Sequence, residues 1–220
     1  MPAVQVASGK VLLVAVSNPF KWTPLHFVAK EIESIKAAIP SHVPMNILGD
    51  FDGSEIKPTG PPTAKAILNK LPDASILHLA CHGHQHPQNA LDSGFVMQDS
   101  MLTVAKLMEL NLDKAFLAFL SACETAKGDE AQTDQAIHLA ATMLFAGFRS
   151  VVGTMWYAGV NQASFCVTYC RHTGRWMTLM VPLLPRPCIK SCIAQELIRW
   201  IPTLSRTLWT SRSAIYGPKD

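Results

Sequence analysis

Over the first 156 residues, apolar and polar positions fall into two alternating kinds of segment. Short apolar runs rich in β-branched residues read as buried strands: Val11 to Val16, Met45 to Leu48, Ser75 to Ala80, Ala115 to Leu120 and Ser150 to Met155. Between them the apolar positions take helical spacing. Leu25, Val28, Ile32 and Ile35 step by three and four, which predicts an amphipathic helix ending before Pro40. Pro61-Pro62-Thr63 opens a second, with Ala66, Ile67 and Leu71 on one face, since proline in a first helical turn sacrifices no hydrogen bond. Thr103 to Leu110 reads as a third. Thr133 can cap a fourth that carries Ile137, Ala140, Ala141 and Leu144 and stops at Gly147.

Strands that alternate with helices must pair in parallel, because each connection crosses over the sheet. Runs that are apolar on both faces imply the same arrangement, with helices covering each side. The expected fold is therefore α/β, a three-layer sandwich around a mostly parallel central sheet. Gly94-Phe95-Val96-Met97-Gln98-Asp99 reads as a small hairpin arm inserted before the third helix. After Val160 the pattern changes. Residues 161–220 hold four of the six cysteines and three of the five tryptophans, and sustain neither period.

Bulk properties narrow the classes. Apolar residues make up 49% of the 220 and charged residues 16%, which excludes disorder for most of the chain. The formal charge of +3 comes from scattered lysines and arginines, so neither a nucleic-acid nor a membrane-surface footprint is expected. There is no apolar run of about eighteen residues that could span a membrane. Met1-Pro2-Ala3-Val4-Gln5 lacks the build of a secretory signal. The cysteines show no even framework and read as reduced thiols of an intracellular, cytoplasmic protein.

Two segments can carry chemistry. Ile76-Leu77-His78-Leu79-Ala80-Cys81-His82-Gly83-His84 is a buried strand running into a His-Gly step. Phe116-Leu117-Ala118-Phe119-Leu120-Ser121-Ala122-Cys123-Glu124-Thr125 is a buried strand running into a cysteine. Each sets a reactive side chain just past the carboxyl end of a strand, the edge where open α/β sheets bind ligands. If the strands are neighbours, His82 and Cys123 come within reach of each other. An imidazole beside a thiol raises its thiolate fraction or takes its proton during attack, then protonates the leaving amine. Gly83 lacks a Cβ, so its N–H and that of Cys123 could form an oxyanion hole. The same placement also suits packing or hydrogen bonding, the commoner role of buried strand-end cysteines and histidines. His78, two residues before the strand end, reads as a satisfied core histidine, and Cys81 as a small core residue on the face opposite His82. A metal site built from Cys81, His82, His84 and His86 is a further alternative. Consecutive residues at a strand end point apart, however, and no second ligand pair at zinc spacing exists before residue 161.

The motifs His78-Leu79-Ala80-Cys81-His82-Gly83 and Leu120-Ser121-Ala122-Cys123-Glu124-Thr125-Ala126 resemble the CHAT domain, a caspase-like family related to caspases and separases. So do Ala136-Ile137-His138-Leu139-Ala140-Ala141 and the stretch from Met143 to Trp156, which holds Phe145-Ala146-Gly147-Phe148-Arg149-Ser150 and Gly153-Thr154-Met155-Trp156. The likeness covers residues 10–158. It implies a caspase-like sandwich and a cysteine endopeptidase, with His82 as general base and acid and Cys123 as nucleophile. It implies no cofactor. The partners it implies are a peptide or protein substrate and a repeat-domain regulator, since the family often follows tetratricopeptide repeats that are absent from this sequence. Where the family commonly has an acidic residue, ahead of the Ala-x-His-Leu-Ala helix, this chain has Gln135, so the substrate preference linked to that acid does not carry over.

The family continues after Gly-Thr-Met-Trp with an Asp-rich segment that this chain lacks. The codons for Trp176-Met177-Thr178-Leu179-Met180-Val181-Pro182, read from their third base, permit Asp-Asp-x-Asp-Gly followed by a small residue. In the same offset, Leu204 to Thr210 permits Val-Pro-Tyr-Ala-Leu-Asp-Val, text close to that of the family. The expected organisation is a truncated CHAT domain over 1–160. Residues 161–220 are then a non-homologous tail of low order, frame-shifted or intron-derived from a point between Tyr157 and Trp176. Such a tail would leave one face of the sheet short of its cover and the chain poorly soluble. Two functions follow: a cysteine peptidase with a His-Cys dyad, or a non-catalytic caspase-like interaction scaffold.

Overall fold

The computed structural model describes residues 9–52, 54–122, 135–156, 164–170 and 181–183, with backbone alone for 135–138, 154–156, 164–170 and 181–183. In chain order the elements are β1 (Lys10–Ala15), α1 (Val28–Ala38), β2 (Met45–Gly49), α2 (Ala64–Lys70), β3 (Ala74–Ala80), β4 (His82–His84), β5 (Gly94–Val96), β6 (Met101–Thr103), α3 (Val104–Met108), β7 (Leu117–Ser121), α4 (Gln135–Ala146), β8 (Ser150–Trp156), β9 (Ser164–Cys170) and β10 (Val181–Leu183). The main sheet has the order β10-β9-β8-β7-β3-β1-β2. Its five strands from β8 to β2 are all parallel, and β9 and β10 add antiparallel beyond β8.

The expected sandwich is present, and strand alternation builds it. Leu12 and Val14 of β1, Leu77 and Leu79 of β3, and Ala118 and Leu120 of β7 face one core. That core is closed by Ile67 of α2, Leu107 of α3 and Met143 of α4. Val11, Leu13, Ile76, Leu117 and Phe119 face the other core, closed by Val28, Ile32 and Ile35 of α1. Every residue of β3 is buried, as a central strand covered on both faces requires. Truncating one of these side chains, Ile32 for example, would cost about 2–5 kcal/mol through lost transfer energy and a residual cavity.

Local chemistry sets the helix ends. The Thr63 hydroxyl accepts the Ala66 N–H at the start of α2, and the Thr103 hydroxyl that of Lys106 at the start of α3. The prolines at 61 and 62 therefore precede the cap, and do not sit in the first turn as the sequence suggested. α1 begins three residues later than Leu25, whose N–H instead donates to the Ser17 carbonyl. α4 ends in a Schellman arrangement: the Phe148 N–H donates to the Met143 carbonyl and the Gly147 N–H to that of Leu144, with Gly147 at φ +125°. Thr133, the expected cap of α4, lies outside the described residues.

The expected two-stranded arm is a three-stranded sheet in the order β4-β5-β6. Its third strand is His82–His84 itself, paired antiparallel with β5, and its second begins at Met101, beyond Asp99. A three-residue strand shows no period, so the sequence gives it no signal. Two strands of the 161–220 segment, the seven-residue β9 and the three-residue β10, lie in the main sheet. The rest of that segment, and most of what bears on a shifted frame, is outside the described residues. Among those described, no helix is long and apolar enough to cross a membrane.

Candidate functional site

β3 and β7 are adjacent and parallel, with Ala80 level with Ser121. Their carboxyl ends therefore leave the same edge of the sheet side by side, which is the neighbour relation that the His82 and Cys123 assignment needs. From Ala80 the chain passes through Cys81 into β4, which starts at His82. Cys123 itself lies outside the described residues. The last described residue before it, Ala122, is in backbone contact with β4: a Cβ built on Gly83 would stand 2.6 Å from the Ala122 carbonyl oxygen and 3.3 Å from Leu139 Cδ1. Gly83 is thus the residue that lets the two strand ends close on each other.

His82 is fully buried. Its Nε2 stands 2.8 Å from the carbonyl oxygen of Thr23. A carbonyl can only accept, so Nε2 must carry the proton of this bond, and in the neutral ring Nδ1 is the basic nitrogen. The contact therefore fixes both the tautomer and the ring's orientation.

Thr23 belongs to the segment between β1 and α1, which is tied down at several points. Both carboxylate oxygens of Asp50, just past β2, accept backbone N–H groups: Oδ1 from Ser17 at 2.6 Å and Oδ2 from Asn18 at 2.9 Å. The Phe20 N–H donates to the Met97 carbonyl, and the Leu25 N–H to that of Ser17. Trp22 lies beside His82 and His84, its ring centroid 5.4 Å from each, tilted by 34° to the first and 66° to the second.

The other candidates disperse. Cys81 is buried in the core with Leu79 and Ala122, as strand alternation predicts. His78 is buried on the opposite face, stacked on Phe119, with Nε2 3.0 Å from Glu31 Oε1 of α1. That contact is off hydrogen-bond alignment, and neither ring nitrogen finds a hydrogen-bond partner among the described residues, so the expectation of a satisfied core histidine does not hold. His84 meets Trp22 edge-on, and Nδ1 of His86 accepts the Gln88 and Asn89 amides. Among the described residues no group of three or more His, Cys, Asp or Glu could hold a metal ion. Gln135 opens α4, with its side chain outside the described residues.

Sequence reasoning missed Thr23, Asp50 and Trp22. Thr23 acts through its backbone carbonyl, which no residue type advertises. Asp50 could have been noticed as an acid one step past a strand, at the same edge as the His-Gly step.

The model of the CHAT domain family matches residues 2–170. No curated protein matches the chain.

Proposed function

The chain belongs to the CHAT domain family, a caspase-like, peptidase-related group, and from this premise we propose that it is a cysteine peptidase domain whose catalytic pair is His82 and Cys123. The observation that carries this is the His82 imidazole, buried at the shared edge of β3 and β7 with Nε2–H committed to Thr23. Its remaining nitrogen is the kind of base a neighbouring thiol needs.

The proposed reaction runs in two halves. The Cys123 proton passes to His82 Nδ1, and Sγ bonds to the scissile carbonyl carbon. The carbonyl oxygen becomes an oxyanion, met by the N–H groups of Gly83 and Cys123. The imidazolium gives its proton to the leaving nitrogen, the C–N bond breaks, and a thioester remains. Water then attacks the thioester carbon, losing a proton to Nδ1. The C–S bond breaks and the proton returns to sulfur. Throughout, the Thr23 carbonyl stabilises the charge held on the ring. Every atom comes from the pair, the peptide and water.

Hydrolysis of a peptide library by the full chain, compared with Cys123→Ala and His82→Ala, tests the proposal. Each variant should lose at least about a hundredfold in rate, the scale of a lost nucleophile or acid-base group. A peptidyl electrophile should label Cys123 alone. Hydrolysis that persists in Cys123→Ala sinks the proposal. A wild-type chain that neither hydrolyses nor labels, yet binds a repeat-domain partner, would mark an interaction scaffold instead.

A further inference from the structure

Large aromatic side chains normally go inside, yet the segment after β1 holds three outside: Phe20 is 47% exposed, Trp22 37% and Phe27 66%. For Phe20 and Trp22 this is not a loose loop that could fold away. Asp50 holds Ser17 and Asn18, Met97 holds Phe20, and the Trp22 N–H donates to the Pro19 carbonyl. Trp22 is held again at its ring, which packs against both His82 and His84. The backbone therefore presents an indole that is fixed against the buried imidazole while the residue keeps 37% of its surface in solvent.

We infer that Trp22 is a specificity-determining residue, its exposed part forming one wall of a subsite for a bulky, uncharged apolar side chain next to the scissile bond. This rests on the peptidase proposal above, which says what passes by. A general acid must come within about 2.6–3.2 Å of the leaving nitrogen. The residues flanking the scissile bond then pass within one side chain's length of a ring packed on His82. Charge selects among them. The electron-rich face of the indole disfavours a carboxylate. The Lys21 ammonium, 4.9 Å above the neighbouring Phe20 ring, disfavours a basic side chain. A bulky aliphatic or aromatic group, which gains by leaving water, remains.

The test is a set of fluorogenic peptides that vary one flanking position at a time through Leu, Phe, Ala, Asp and Lys, cleaved by the full chain and by Trp22→Ala and Trp22→Phe. The wild type should prefer Leu or Phe at one flanking position. Trp22→Ala should cut that preference over Ala by about ten- to a hundredfold, the range a hydrophobic pocket supplies. Trp22→Phe should restore most of it. The ratio between peptides is the readout, because a general disturbance of His82 lowers all rates together. An unchanged ratio in Trp22→Ala, or a wild-type preference for Asp or Lys, overturns the inference and leaves the peptidase proposal intact. No cleavage that depends on Cys123 with any peptide overturns both.

Discussion

His82 and Thr23 are 59 residues apart in sequence, and the 2.8 Å contact between Nε2 and the Thr23 carbonyl joins two separate crossover units at one edge of the sheet. One unit supplies a side chain, the other only a backbone oxygen. The contact is only as well defined as the loop that carries the oxygen, and Asp50 is the side chain that fixes that loop to β2.

Asp50→Ala removes the acceptor of two N–H groups and leaves Thr23 free to drift. The expected cost is about 1–3 kcal/mol of stability, from two amides that lose a charged acceptor. The peptidase rate should fall about tenfold or more, since a small misplacement of the base is felt directly in the rate. Asp50→Asn keeps one oxygen but turns an NH₂ toward the second amide, so it should fall between. Thermal unfolding and kcat on one peptide check both. A variant that loses stability but keeps full kcat would show that the loop does not position His82.

Gly83→Ala places a Cβ 2.6 Å from the Ala122 carbonyl oxygen, with backbone on both sides of the contact and no flexible side chain able to yield. The strand ends must then separate, at about 1–3 kcal/mol by the usual cost of overpacking. A larger loss, about a hundredfold, is expected in hydrolysis, because the oxyanion hole and the approach to Cys123 share this joint. Gly153 in β8 is the comparison: among the described residues a Cβ there meets nothing within 4 Å, so Gly153→Ala should cost less stability and less rate than Gly83→Ala. Equal behaviour of the two alanine variants would mean that Gly83 is not a contact point.

What was legible in the sequence was whatever repeats with a period. The five parallel strands and the four α-helices of the described residues announced themselves through runs and spacings set by burial on two faces, as in Leu12 and Val14 against Val11 and Leu13. The His-Gly step at the edge was visible because a reactive residue followed a buried run. What stayed hidden has no periodic trace. β4 is three residues long, Thr23 contributes only a carbonyl, and the role of Asp50 depends on β2 lying beside β1, a fact of topology. The boundary of α1 slipped by three residues because Leu25 has the right spacing but gives its N–H to Ser17.

Far from this edge, near the amino end of β3, Asp73 pairs with two lysines: Lys114 Nζ is 3.0 Å from Oδ1 and Lys10 Nζ 3.4 Å from Oδ2. The hydrogen bond from Lys114, and then the charge of Lys10, hold its carboxyl below the ordinary value of 3.8. A lowered folded-state pKa means that the native state favours the ionised form. The stabilisation is therefore complete above the unfolded-state value, near 3.9, and is lost as pH falls through the lower folded value. The three groups are exposed, so the effect is small and screened by salt. Asp73→Asn should melt slightly below the wild type at pH 6, and the gap should close both in acid, as pH falls through the lowered folded-state value, and at about 1 M salt. Melting curves of the two proteins at these three conditions check the sign. A gap that widens in acid would mean that some group other than Asp73 governs the acid stability of this end of the sheet.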